Sequence, residues 1–263
     1  MMKKLITLFL ALAMVFSLAV AAAAQEAAPE QSEIVWDENE QTILLENGGV
    51  YGQGETAFVL VVSYLNETAV VTVNTDAETV GAALAALNIV AGEESEWGLY
   101  VKTVNGITAD YNVDGTYWAF YIDGEYAMTG LDATEINPDS IYLLVVEGLE
   151  LEEGETIPLH DGKNYGLGEK VFVFQVIDGE ENVTTVTVCT DADTVGAALA
   201  ELGIIAGDES DWGLYVKTVN GITADYDTDG KYWAFYINGE YATTGVDATE
   251  IDEEAVYTFA VEG

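Results

Sequence analysis

Runs of β-branched and aromatic residues at 57–64 and 69–73, separated by a polar turn, predict a β-hairpin. The spacing then changes. Val80, Leu84 and Leu87 fall on one face of a helix, and Thr75-Asp76-Ala77-Glu78 before them has the form of a capping box. Asn88 follows the last apolar position, where a residue tolerant of left-handed backbone ends a helix. Gly81 interrupts the helix, where glycine costs about 1 kcal/mol against alanine, and predicts close packing on a sheet. Residues 99–104 and 117–122 read as strands, joined by an Asn-Gly turn and an acidic loop. Asp123-Gly124 is a type I′ turn pair, and residues 142–146 form a last strand. This order predicts an α+β fold, a mixed sheet with one helix packed across it.

The pattern is written twice. Asp76, Trp97 and Trp118 recur as Asp191, Trp212 and Trp233, each 115 residues later, and the register runs on to Glu147 and Glu262. Upstream the offset is 114, so one extra residue enters the second hairpin, where an insertion does least harm. Gly203 replaces Asn88 at the helix end, and Asn238-Gly239 replaces Asp123-Gly124. The expected organisation is two tandem domains, 37–148 and 150–263, with a short acidic link.

Residues 1–24 read as a secretory signal peptide: Lys3 and Lys4, an apolar run, then Ala22-Ala23-Ala24. Residues 25–36 read as a flexible segment. The expectation is a secreted chain with no membrane insertion after cleavage. The 263 residues include 47 acids and seven lysines but no arginine, for a net charge of −40. Such a surface repels nucleic acid and attracts cations. Cys189 and His160 each occur once and have no counterpart in the other copy, which argues against a thiol or imidazole chemistry.

Asp76-x-x-Thr79-Val80-Gly81-x-x-Leu84, followed by Tyr117-Trp118-x-Phe120-x-x-x-Gly124-Glu125-x-Ala127-x-x-Gly130, resembles a domain of exported bacterial proteins. That family also supplies the C-terminal domain of transcobalamin and intrinsic factor. Both copies carry the motif. The resemblance implies two tandem β-grasp-like domains and a cobalamin-like ligand, although the helical barrel that completes the site in the vitamin carriers has no counterpart here.

Asp110-x-Asn112-x-Asp114-Gly115 and Asp225-x-Asp227-x-Asp229-Gly230 have the alternating oxygens and the glycine of calcium loops. Tyr121 and Tyr236 stand at the twelfth positions, so neither is an EF-hand. Asp132 and Asp247 are candidate additional ligands. The same residues also suit a plain solvated hairpin loop. Trp97, Tyr117, Trp118 and Tyr121, with Trp212, Tyr232, Trp233 and Tyr236, are the candidate ligand-binding aromatics. Neighbours on a strand face opposite ways, so one alternating set belongs to the core and the other is exposed. No nucleophile–base or zinc pattern recurs. The expectation is a non-enzymatic binding protein for a small ligand. The alternative is a calcium-stabilised structural or adhesive module with a cell-surface partner.

Overall fold

The hairpin of the first copy joins β4 (Thr56–Tyr64) to β5 (Glu67–Thr75). Leu65 and Asn66 make its two-residue turn, both with positive φ. This computed structural model describes residues 31–39, 41–95, 98–210 and 213–263. The signal segment 1–24, part of 25–36, and both Trp97 and Trp212 lie outside the described residues. The chain divides between Leu149 and Glu150 into two compact units.

In the first unit, β1 (Val35–Trp36) and β2 (Ile43–Leu44) form a small ribbon, and β3 (Val50–Gly52) runs parallel to β5. Helix α1 (Val80–Ala86) follows. Next come β6 (Val90–Ser95), β7 (Gly98–Val104) and β8 (Ile107–Thr108), an antiparallel sheet of their own. A single helical turn, α2 (Tyr111–Asp114), leads into β9 (Tyr117–Ile122), β10 (Glu125–Tyr126) and β11 (Ile141–Glu147). The main sheet has the order β10-β9-β11-β4-β5-β3. β11 lies parallel to β4 and antiparallel to β9, so the last strand enters the centre beside the first long one.

The second unit repeats the plan. It has β12 (Asn164–Tyr165), β13 (Lys170–Ile177), β14 (Val183–Thr190), α3 (Val195–Glu201), β15 (Ile205–Ser210), β16 (Gly213–Val219) and β17 (Ile222–Thr223). It continues with α4 (Tyr226–Asp229), β18 (Tyr232–Ile237), β19 (Glu240–Tyr241) and β20 (Val256–Glu262). Its main sheet runs β19-β18-β20-β13-β14-β12. The extra residue sits in the turn after Ile177, where Asp178 accepts from the amides of Glu180 and Asn182.

Each unit is mostly β, with few helices. Phe58, Leu60 and Val62 of β4 face inward with Val71, Val73, Val80, Leu84, Trp118, Phe120, Tyr142 and Leu144. Each such side chain is worth roughly 1.5–3 kcal/mol of transfer free energy. That packing, rather than helix propensity, holds the seven-residue α1, which is too short to persist alone.

Three local expectations are corrected. The helix begins later than the capping-box reading, with Thr79 as its cap accepting from Ala82 N, and Thr194 does the same in α3. Asp76 instead accepts from Glu55 N, holding the loop before β4. Gly81 packs not on the sheet but on the 3₁₀ turn Leu131–Ala133, where a Cβ would meet Asp132 Oδ1 and come within 2.8 Å of Asp132 N. The strand β6 was not expected, because its Gly-Glu-Glu-Ser half carries no apolar alternation. Its pairing with β7 supplies the strand signal that its side chains lack.

Candidate functional site

Strand alternation divides the aromatic strand. Trp118 and Phe120 point into the core, and Tyr117, Ala119 and Tyr121 onto the outer face of the sheet. Trp118 is therefore a core residue, its Nε1 donating to Ile107 O at 3.3 Å. Trp233 is equally buried, and its Nε1 has no hydrogen-bond partner among the described residues.

Strand register then places Glu147 directly across from Tyr117. Its carboxylate accepts from both tyrosines, from Tyr117 Oη at 2.5 Å on Oε2 and from Tyr121 Oη on Oε1. Glu262 does the same in the second unit, with Tyr232 Oη at 2.9 Å on Oε2 and Tyr236 on Oε1. The hydrogen bond to Glu147 pushes the Tyr117 hydroxyl up to about 12, and Glu262 does the same to Tyr236. Tyr121 is raised as well, first by burial and then by Glu147. At neutral pH all these hydroxyls are protonated donors.

Two further rings flank each carboxylate-bound pair. Tyr111 meets Tyr117 edge-on at 6.3 Å, and Tyr126 meets Tyr121 at 5.3 Å. Tyr226 with Tyr232 and Tyr241 with Tyr236 repeat this at 6.4 and 5.4 Å. The flanking rings Tyr111, Tyr126, Tyr226 and Tyr241 are 64, 56, 63 and 60% exposed. The unit therefore presents a four-tyrosine cluster around one carboxylate. Sequence reasoning identified Tyr117, Tyr121, Tyr232 and Tyr236 but missed the two glutamates and the flanking tyrosines. The available signal was the recurrence of Glu147 and Glu262 at the end of an otherwise apolar strand.

Beside Tyr236 the outer face of the second unit is an open cleft of about 660 Å³, lined by Gln175, Ile177, Asn238, Val256, Thr258 and Ala260 among others. Gln175 and Thr258 are register partners on its floor, joined by a long hydrogen bond of 3.4 Å.

The carboxylates of the acidic loops have partners within the chain. Asp110 caps α2 by accepting from Asn112 N, and its Oδ2 lies 2.9 Å from Lys102 Nζ. Asp114 Oδ1 accepts from both the amide and the hydroxyl of Thr116. Asp225 caps α4 by accepting from Asp227 N and pairs with Lys217 Nζ at 2.7 Å, and Asp229 accepts from Lys231 N. Lys102 holds the Asp110 carboxyl below its usual range, and Lys217 does so for Asp225. Asn112 and Asp227 are exposed on the helical turns. Asp132 and Asp247 accept instead from Leu99 N and Leu214 N. The spacing that suggested convergent ligands is spent on caps and lysines. Among the described residues, no group of three His, Cys, Asp or Glu side chains could hold a metal ion.

A tandem, β-rich chain with a repeated polar–aromatic face is the class that this architecture defines. The family of domains of unknown function DUF4430 matches residues 77–143 and 192–262, over half of the chain, and the chain belongs to it. Among solved structures, a protein of Ruminococcus gnavus ATCC 29149 described as a "putative metal binding protein" is 26% identical, with a TM-score of 0.34. The alignment spans 36% of this chain and 97% of that one. Haptocorrin in complex with Cbi is 19% identical with a TM-score of 0.30, over 37% of this chain and 26% of haptocorrin. No curated protein matches the chain.

Proposed function

We propose that the chain is an exported, non-enzymatic binding protein that captures a small ligand on the tyrosine face of its sheets, each unit being a β-grasp-like domain. The observation that carries this reading is the Tyr–Glu–Tyr cluster with exposed flanking rings, built twice from the same positions. Tyrosines are rigid, present a large apolar body with a polar tip, and lose little conformational entropy when they bind. Hydroxyls held protonated well above neutral pH suit recognition rather than proton transfer. The motif resemblance to transcobalamin makes a cobalamin-like compound the first candidate. The calcium-stabilised reading would require Asp110 and Asp225 to release Lys102 and Lys217.

Calorimetric titration of the full chain against corrinoids, sugars and small amines tests this. Binding that disappears in the Tyr226→Ala, Tyr241→Ala variant supports the reading. A ligand bound equally well by that variant would place the site elsewhere.

A further inference from the structure

We propose that the tyrosine face of the second unit selects a small organic ammonium group; this rests on that face being the binding site. Glu262 is half-buried, and both of its oxygens already accept from neutral phenols. Hydrogen bonds disperse a carboxylate's charge but do not cancel it, so the centre of the cluster is anionic. The flanking rings Tyr226 and Tyr241 add exposed aromatic surface, and ring faces attract cations within about 6 Å of the centroid.

Geometry points the same way. Tyr226 stands at 66° to Tyr232, and Tyr241 at 76° to Tyr236. Each pair makes a steep aromatic corner beside the carboxylate, and Tyr226 and Tyr241 are the exposed walls. A rounded cation with methyl or methylene groups can touch both walls of such a corner, while a flat anion meets only repulsion. The neighbouring floor, Gln175 and Thr258, supplies polar partners for a hydroxyl or amide carried by the same ligand. None of the lysines lies on the cleft lining.

The chain uses this chemistry within itself. Lys217 Nζ sits 5.8 Å over the Tyr215 ring while paired with Asp208 and Asp225, and Lys102 repeats the arrangement over Tyr100 at 5.9 Å. The outer face has the aromatic and carboxylate half of that arrangement without the lysine. The overall charge of −40 raises the local concentration of any cation, so simple attraction must be separated from recognition.

The test is a calorimetric titration of the full chain with choline and with its uncharged isostere 3,3-dimethylbutan-1-ol, at matched ionic strength. Choline should bind at least about tenfold more tightly than the isostere. Tyr226→Leu and Tyr241→Leu, at exposed positions, should each weaken choline roughly 2- to 30-fold, with Glu262→Gln weakening it further. Equal affinity for the isostere, or choline binding unchanged by the leucine variants, would overturn the ammonium assignment. If a corrinoid or sugar binds in a Tyr241-dependent way while choline does not, the face is a site and only the ligand class is wrong. If nothing binds, both readings fail.

Discussion

The two units carry the same carboxylate-centred tyrosines on different ground. In the first, the register pair beside Tyr121 is Val61 with Leu143, 0 and 2% exposed. In the second the same pair is Gln175 with Thr258, on the floor of an open cleft. The flanking segments differ in the same sense. Val113 and Met128 are exposed where the second copy has Thr228 and Thr243. Even the tyrosines register it: burial is the first cause of the Tyr121 shift, whereas the hydrogen bond to Glu262 is the first cause for Tyr236. Duplication preserved the cluster and let its surroundings diverge, so the second unit is the better place to look for a polar ligand.

The largest expected effect tests whether the two cores are equivalent. Trp118→Ala and Trp233→Ala should each cost about 3–5 kcal/mol in denaturant unfolding. The phenylalanine variants should separate the units. Trp118→Phe loses the bond to Ile107 O and should cost about 1 kcal/mol more than Trp233→Phe, which removes an unpartnered buried N–H. Equal costs would mean that the two indoles sit in the same environment.

Exchanging the floors comes next. Val61→Gln with Leu143→Thr buries polar groups and should destabilise by about 1–3 kcal/mol. The reverse exchange, Gln175→Val with Thr258→Leu, should leave the melting temperature near that of the wild type and weaken polar ligands. Comparable losses in both directions would mean that the two floors are equivalent.

Alkaline titration gives a smaller effect. Tyr117 and Tyr236 are held at about 12 against an ordinary 10.0. Between those values the folded chain binds more protons than the unfolded one, so stability is intact below about pH 10 and falls as pH rises toward about 12. Denaturant midpoints at about pH 9 and about pH 11.5 should show this decline, and Tyr236→Phe should reduce it. The decline should persist in Tyr64→Phe, a tyrosine outside both clusters.

Calcium should do least. At matched ionic strength it should move the melting temperature no more than sodium does, because Asp110 and Asp225 are committed to helix caps and lysines. A calcium-specific rise of several degrees, abolished by Asp225→Ala, would restore the metal reading of the acidic loops.

What could be read from the chain alone was whatever short stretches settle among themselves. Asn105-Gly106 and Asp123-Gly124 turn with positive φ at both residues, as their types demand, and Asn88 and Gly203 end their helices in the same left-handed region. The hairpin, the helix face and the internal repeat follow from spacings of a few residues or from a fixed offset. Tertiary structure decided the rest. Tyr121 and Glu147 are 26 residues apart and Leu99 and Asp132 are 33 apart, and only strand register and helix packing bring them together. Lys102 reaches Asp110 only because β7 turns back through β8 toward α2. An acidic spacing states which oxygens are available. Whether they meet a cation, a backbone amide or a lysine depends on what the fold sets opposite them, and a carboxylate takes the partners within hydrogen-bonding reach.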